Sequence, residues 1–248
     1  INGVLFDKEG TVLHQYPINK TDTCYTIPNG VTSIGEDAFA YCNNLTEIMI
    51  EENSELTSIG SCAFYDCDSL TSITFGDNSQ LTSIGSHAFY NCDSLTSITI
   101  PESVSSIGDE VFYRCNSLTS IKVHNNNQYY KDINGVLYNK EGTRLIQYAI
   151  GKEDESFIVP DDIKIIDKFA FSGCYSLTSI TFGENSQLTS IGEDAFYNCS
   201  NLTSITIPNS VRNIGKNAFS GCNNLTSITF GDNSQLITIG DYAFRSCS

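Results

Sequence analysis

The chain has 248 residues, of which 40% are hydrophobic, and its 29 acidic and 13 basic residues give a formal net charge of −16. This charge opposes binding to nucleic acid or to an anionic membrane, because phosphate groups are held by lysine and arginine. The apolar runs are short and interrupted by serine and threonine, so the sequence predicts neither a transmembrane helix nor a signal peptide. The acidic residues are interpreted as keeping a repetitive surface soluble, with a patch for a cationic partner as the alternative.

A β-hairpin is predicted at the start of the chain. Two apolar runs, at residues 1–6 and 11–16, flank a polar segment that contains Gly10, and proline ends the second run. A further strand then leads to Pro28. The same pattern returns at residues 133–148, shifted by 132 positions (133 − 1). The sequence therefore predicts a hairpin with a lead-in strand over residues 1–28 and an inserted hairpin over residues 124–160.

A repeat of 23 to 25 residues fills the rest of the chain. Its landmark is Ala-Phe-x-x-Cys, and the spacing is 25 from Cys42 to Cys67 (67 − 42) and 23 from Cys92 to Cys115 (115 − 92). A fixed period of this length indicates a solenoid. The prediction is four repeats over residues 29–123 and four over residues 161–248, the last of them truncated. Because the chain begins inside a motif and stops inside a repeat, it is interpreted as a segment of a longer protein.

Each repeat can be interpreted from its apolar spacing. Residues 95–100 alternate, with Ile98 and Ile100 inward and Ser97 and Thr99 outward, which is typical of a strand. Residues 104–107 form a second short extended piece, and residues 109–115 are predicted to make one or two helical turns. We expect an α/β solenoid: a single, curved, right-handed stack with a parallel sheet on the concave side and short helices or 3₁₀ turns on the convex side.

The spelling of the repeat, Leu-Thr-Ser-Ile-Thr-Ile-Pro-x-Ser-Val-x-x-Ile-Gly-x-x-Ala-Phe-x-x-Cys, resembles the treponemal-type leucine-rich repeats of BspA-like surface proteins. The hairpin, with Asn-Gly-Val-Leu-Phe, is similar to an element that recurs in that family. The resemblance implies adhesion to host matrix proteins or to other cells, at the cell surface or after secretion, with the signal and the anchor outside this segment.

Eight cysteines share one repeat position and are predicted to be free, buried thiols packed beside phenylalanine. They are Cys42, Cys67, Cys92, Cys115, Cys174, Cys199, Cys222 and Cys247. Their parallel Cβ directions in a stack would suit disulfides poorly. Cys24 and Cys62 lie off this position; Cys62 is expected to be exposed, and a bridge between these two is left open. The cysteine spacing does not predict a metal site.

Candidate binding residues lie where the chain departs from the repeat. The outward strand positions usually carry serine and threonine, but Glu47 and Met49 replace them in the first repeat, and Lys122 does so in the fourth, followed by His124. In the second hairpin segment, Tyr129 and Tyr130 are the best candidates for an exposed aromatic contact. The alternative for the strand substitutions is simple drift near an edge of the repeat array.

The functional prediction is a non-enzymatic module that binds protein ligands through the concave face and the hairpins. The three histidines have no surrounding catalytic constellation, and no cofactor, nucleic acid partner or direct membrane insertion is predicted. The alternative is a structural spacer or stalk, in which near-identical repeats give only length. Ice binding by the Ser/Thr columns is a distant third, and an enzyme is disfavoured. The ligand and the oligomeric state are left open.

Overall fold

The computed structural model of the chain describes residues 2–248, so the part of the first predicted apolar run that falls on Ile1 lies outside it. It consists of two compact units, Ile1–Lys131 and Asp132–Ser248. Each unit is a solenoid of parallel β-coils, and each coil contributes one short strand, one segment of turns and one long strand. The prediction of a solenoid is confirmed for each unit, and that of one continuous stack stays a prediction.

In the first unit, from the third strand onward, four-residue strands alternate along the chain with two-residue strands. They are β1 (Leu5–Phe6), β2 (Val12–Gln15), β3 (Cys24–Ile27), β4 (Ser33–Ile34), β5 (Glu47–Ile50), β6 (Ser58–Ile59), β7 (Ser72–Phe75), β8 (Ser83–Ile84), β9 (Ser97–Ile100), β10 (Ser106–Ile107) and β11 (Ser120–Val123).

In the second unit the same alternation begins at the fourth strand, after a strand that straddles the boundary and two hairpin strands, all of four residues. Its strands are β12 (Tyr130–Ile133), β13 (Val136–Asn139), β14 (Arg144–Gln147), β15 (Ser156–Val159), β16 (Ile165–Ile166), β17 (Ser179–Phe182), β18 (Ser190–Ile191), β19 (Ser204–Ile207), β20 (Asn213–Ile214), β21 (Ser227–Phe230) and β22 (Thr238–Ile239).

Corresponding residues of successive coils pair in parallel. The short strands form one sheet in each unit, in the orders β1-β2-β4-β6-β8-β10 and β12-β13-β14-β16-β18-β20-β22. The long strands form β3-β5-β7 and β9-β11 in the first unit and β15-β17-β19-β21 in the second. The register places Ile48 beside Ile73 and Ile98 beside Ile121, so like residues stack on like. The predicted parallel sheet and its inward isoleucines are confirmed.

The hairpins take part in the parallel pairing of each unit, and that they are insertions in the repeat array stays a prediction. β1 pairs antiparallel with β2, but β2 also pairs in parallel with β4, at Val12↔Ser33 and Leu13↔Ile34. In the second unit β14 pairs with β16 in the same way. The second hairpin strand thus occupies the short-strand place of a coil, and β3 or β15 takes the long-strand place. Each hairpin is the first coil of its unit.

The predicted short helices or 3₁₀ turns are wrong, since residues 2–248 contain strands and turns but no helix. The N–H groups of Asp37, Phe39 and Tyr41 donate to carbonyls of the next coil at 3.1, 2.7 and 2.8 Å, while the residues between them donate three positions back. An α-helix would need every one of these donors within its own turn. Left-handed residues at Asp37 and Tyr41, with φ of 55° and 62°, further break the helical path. These hydrogen bonds form a third ladder between coils, besides those of the short and the long strands, and it recurs in both units.

A column of stacked phenylalanines runs through the core of each unit. Neighbouring ring centroids are 4.9–5.8 Å apart along Phe39, Phe64, Phe89 and Phe112 and along Phe171, Phe196, Phe219 and Phe244. The first coil closes each column: Tyr16 stacks on Phe39, and Tyr148 stacks on Phe171, each at 5.3 Å. Each tyrosine hydroxyl donates to a carboxylate, on Asp22 at 3.0 Å and on Asp154 at 2.9 Å. The hairpin coil therefore covers one end of the hydrophobic core.

The repeat cysteines lie beside this column. Seven are buried and Cys247 is half-buried, as their predicted packing role requires. The thiol of Cys67 donates to the Phe39 carbonyl at 3.0 Å, and that of Cys92 to the Phe64 carbonyl at 3.1 Å. Cys62 lies in the turn segment and is half-buried, which corrects the expectation that it is exposed. Its burial, and to a lesser extent the nearby carboxylates, raise the pKa of its thiol.

Thiol reactivity should follow this burial. Desolvation raises the pKa of Cys42 to about 11 from an ordinary value of 9.0. The folded state therefore favours the neutral Cys42 thiol over the thiolate. The contribution of this thiol to the stability of the fold is complete below pH 9.0 and is lost as pH rises toward 11. In the folded chain we expect iodoacetamide to modify exposed Cys24 at least about a hundredfold faster than Cys92, because Cys92 reacts only after opening. Mass spectrometry of timed samples measures this, and rapid labelling of Cys92 without unfolding would contradict it.

Candidate functional site

The long strands present a regular outer surface, which we call the long-strand face. The third residue of each long strand points away from the core, beside its counterparts on neighbouring strands. In most strands it is threonine: Thr26, Thr74, Thr99, Thr181, Thr206 and Thr229. The hydroxyls of Thr206 and Thr229 are 2.9 Å apart and hydrogen-bonded. The predicted hydroxyl columns therefore exist as a surface along each sheet.

Three strands carry a different residue at this position. Met49 lies between Thr26 and Thr74 in register and is 37% exposed. Lys122 lies beside Thr99 and is exposed. Ile158, beside Thr181, is 71% exposed. Sequence reasoning found the first two and missed Ile158, because β15 belongs to the lead-in of the second hairpin; aligning Ser-Phe-Ile-Val with Ser-Ile-Thr-Ile would have found it.

Of the other predicted site residues, Glu47 and His124 also lie near long-strand ends. Glu47 is half-buried on β5 and accepts a hydrogen bond from the Cys24 thiol at 3.6 Å. His124 follows β11, donates its N–H to the Ile100 carbonyl at 2.9 Å and places Nδ1 3.4 Å from Oε2 of Glu102. Lys122 and His124 therefore lie at one end of the first unit's long-strand face, separated by β7 and β9 from Glu47 and Met49.

The tyrosine pair lies elsewhere. Tyr129 is 54% exposed, as predicted, but Tyr130 is half-buried and its hydroxyl donates to the Ser105 carbonyl at 3.3 Å. Ser105 directly precedes β10, so Tyr130 lies on the short-strand side of its coil. The six predicted residues thus form no single cluster.

A break in the long-strand sheet opens a cleft of about 800 Å³ between β7 and β9. At neighbouring coils an N–H closes the ladder: Gly76 donates to Ile50 at 2.8 Å and His124 donates to Ile100 at 2.9 Å. Pro101 stands at the corresponding place after β9 and has no N–H to offer the Phe75 carbonyl. We call this the first cleft, lined by Glu52 and by residues 72–79, 97–99, 101–102, 124 and 126.

The second unit contains a comparable cleft of about 590 Å³ between β17 and β19. Pro208 follows β19, and the paired register between these strands is reduced to Ser179↔Ser204, whereas β15 and β17 pair at four positions. We call this the second cleft, lined by residues 179–184, 186, 204–210, 231 and 235. Both clefts occur where a long polar turn is followed by a coil with proline after its long strand, so proline placement determines where the sheet opens.

The charge of the clefts is acidic to neutral. The first is lined by the carboxylates of Glu52, Asp77 and Glu102, and neither is lined by lysine or arginine. In the first cleft, Glu102 is contacted by His124 and accepts a hydrogen bond from the Asn126 amide at 3.2 Å. Residues 2–248 contain no group of three or more acidic, histidine or cysteine side chains placed to hold a metal ion. Over the same residues, no helix is long and apolar enough to cross a bilayer.

Comparison with known proteins identifies the repeat. The sequence profile of the BspA type leucine rich repeat region matches residues 19–134 and 151–248, in six copies. No curated protein matches the chain. The crystal structure of a leucine-rich repeat protein from Eubacterium ventriosum is 30% identical and superposes with a TM-score of 0.72 over 88% of this chain. The chain spans only 65% of the length of that protein.

A second solved structure shows the same fold. The pneumococcal vaccine antigen PcpA is 25% identical, with a TM-score of 0.69, and the match covers 98% of this chain and 71% of that one. Both likenesses agree with the profile match, which extends over most of the sequence and includes part of each hairpin coil. The chain belongs to the family of BspA-type leucine-rich repeat proteins.

Proposed function

We propose that the chain is a non-enzymatic protein-interaction module that acts at the cell surface or after secretion. Its binding surfaces are the long-strand face of each unit and the hairpin coil that begins it. The observation that carries this proposal is the set of departures at the third long-strand position. Met49, Lys122 and Ile158 replace threonine there, and each is exposed.

At an exposed position in a threonine column, an apolar side chain forms no hydrogen bond with water. Ile158 is 71% exposed and Met49 is 37% exposed, and threonine fits the same strand position without loss of pairing. Binding energy in protein interfaces is concentrated in a few anchor residues surrounded by polar contacts. Met49, Lys122 and Ile158 have the properties of such anchor residues, and serine and threonine hydroxyls surround them. A spacer would need only the uniform threonine face.

The proposed partners are host matrix or cell-surface proteins, so the activity is adhesion. The family resemblance to BspA-like surface proteins supports this class. The net charge of −16 favours a partner with a basic surface, because complementary charge speeds association. Among the nine long strands within residues 2–248, Lys122 is the one basic residue at the third position, and it would meet an acidic or polar group of the partner.

Restoring threonine at the three departures tests the proposal. We expect the chain to bind immobilised fibronectin, fibrinogen or intact cells saturably, and the triple variant M49T/K122T/I158T to bind at least about tenfold more weakly. Biolayer interferometry measures affinity, and circular dichroism checks that the melting temperature is unchanged. The matched control T229S changes the same strand position on β21, which pairs with β19 and not with a strand that carries a departure, and should bind as the parent does. A further variant, Y129A, reports on the hairpin segment.

Absence of saturable binding to any matrix protein or cell would contradict the interaction module and leave the spacer as the function. Equal affinity of the parent and the triple variant would instead remove the three departures from the binding surface.

A further inference from the structure

We propose that the first and second clefts are binding sites for neutral oligosaccharides. The proposal deepens the proposed function, and rests on it for its setting, by naming a glycan of the partner surface as the group that the clefts contact. It rests on the construction of the two clefts, which is shared although they lie at different places in their units.

The two clefts have the same parts. Each has a floor of four hydroxyl side chains from the first and third positions of two adjacent long strands. These are Ser72, Thr74, Ser97 and Thr99 in the first cleft and Ser179, Thr181, Ser204 and Thr206 in the second. A half-buried phenylalanine ends one strand in each, at Phe75 and Phe182, and a proline follows the other. The same chemistry therefore arises twice from the same local sequence change.

This lining suits a polyhydroxylated ligand. Serine and threonine hydroxyls both donate and accept hydrogen bonds, and carboxylates and amides supply paired acceptors or donors for neighbouring sugar hydroxyls. The first cleft adds Asp77, Glu102 and Asn126, and the second adds Glu184, Asn209 and Gln235. The Phe75 carbonyl, which Pro101 deprives of its ladder donor, is a further acceptor at the break in the sheet. The phenylalanine ring can pack its face against the C–H groups of a sugar.

The charge and polarity of the clefts narrow the ligand class. Without lysine or arginine and with several carboxylates, the lining disfavours phosphate and acidic sugars. The hydroxyl side chains of the floors would be left without hydrogen bonds under a lipid tail or a hydrophobic peptide, whereas a sugar would satisfy them. Both volumes fall in the range of about 300–1,000 Å³ that is usual for sites of small molecules. A short segment of a neutral glycan is the ligand that satisfies these limits.

Removing hydroxyls from the floors provides the test. The whole chain is titrated with neutral di- and trisaccharides of glucose, galactose, mannose and N-acetylglucosamine, and binding is followed by saturation-transfer NMR and calorimetry. We expect at least one sugar to bind saturably and T74V/T99V to weaken that binding about tenfold, because two hydrogen-bonding groups are lost. T181V/T206V should remove binding at the second cleft. Valine keeps the shape of threonine and suits strands, so folding should persist.

A second variant tests the origin of the first cleft. P101A restores an N–H opposite the Phe75 carbonyl, and we expect the β7–β9 ladder to close and sugar affinity to fall. In this variant, amide exchange at residue 101 slower than in an unstructured peptide would report the new hydrogen bond directly. T26V, on the same face outside both clefts, is the matched control and should leave sugar binding unchanged.

Three results would overturn the inference: no saturable binding of any sugar in the panel, binding that the cleft variants leave intact, or an equal loss in T26V. Failure of the proposed function is distinguishable. If a matrix protein binds equally well before and after enzymatic deglycosylation, and the cleft variants retain that binding, the glycan inference fails while the interaction module stands. If sugars bind through the clefts but no protein or cell binds, the glycan inference is supported and the proposed protein-interaction function is contradicted.

Discussion

Replacing Phe89 with alanine is expected to lower the free energy of unfolding of the first unit by about 3–5 kcal/mol. Phe89 is fully buried and stacks between Phe64, at 5.2 Å, and Phe112, at 5.8 Å, with nearly parallel rings. Its removal leaves a cavity in the middle of the column and breaks two stacking contacts, each of which adds to the loss from burial alone. Because each coil is stabilised by its neighbours, the cavity weakens the coils on both sides.

The chain contains no tryptophan, so far-UV circular dichroism in urea is the suitable probe, and hydrogen exchange then assigns the loss to a unit. The matched control is Phe244→Ala, at the last position of the second column. Phe244 is only partly buried and stacks on one ring, Phe219 at 5.4 Å, so we expect about half the effect or less. Equal losses in the two variants would show that the column does not stabilise the stack in the proposed way.

The strand content could be predicted because it depends on local alternation. Ile98 and Ile100 alternate with Ser97 and Thr99 along β9, and the structure buries the first pair and exposes the second. The position of Cys92 beside Phe89 also follows from a spacing of three residues, since both must face the same interior. Where burial alone decides the conformation, one repeat contains the needed information.

The turn segments could not be predicted from one repeat. Residues 109–115 have an acidic start and an apolar pair at i and i+3, which favour a helix locally. The structure instead uses the N–H groups of His87, Phe89 and Asn91 to bind carbonyls of the coil that contains residues 109–113, at 2.8, 3.0 and 2.8 Å. Those bonds exist only once two coils are stacked, so a tertiary contact overrides the local preference.

The candidate site was predicted in part for a similar reason. Met49 and Lys122 are visible as departures within aligned repeats, but Ile158 requires the hairpin lead-in to be aligned as a coil. To predict the clefts, two facts must be combined: proline lacks an N–H, and the preceding coil has a carbonyl that needs a hydrogen-bond donor. Pro101 and Pro208 are plain in the sequence, yet their effect depends on the strand that precedes them in space.

Replacing Gly85 with alanine is expected to destabilise the first unit by about 3 kcal/mol or more. Gly85 directly follows β8, where its backbone lies close against the backbone of the preceding coil. A Cβ atom there would lie 2.5 Å from the Ser61 nitrogen and 2.6 Å from the Gly60 carbonyl carbon. Both neighbours are backbone atoms within hydrogen-bonded ladders, so relief requires the coils to separate. The glycine that follows the last isoleucine of most short strands is thus required by the close spacing of the coils.

Gly35→Ala is the matched control, since Gly35 follows β4 in the same way but faces the hairpin coil. Its Cβ would lie 3.1 Å from the Leu13 carbonyl oxygen, a contact that a small shift relieves, and we expect a loss below about 1 kcal/mol. The second unit supports this difference, because Asp167 occupies the position of Gly35 after its own hairpin and ion-pairs with Arg144 at 2.8 Å. Urea unfolding of both variants measures the losses. A G85A variant as stable as G35A would mean that the coils separate without cost, and that the glycine does not set their spacing.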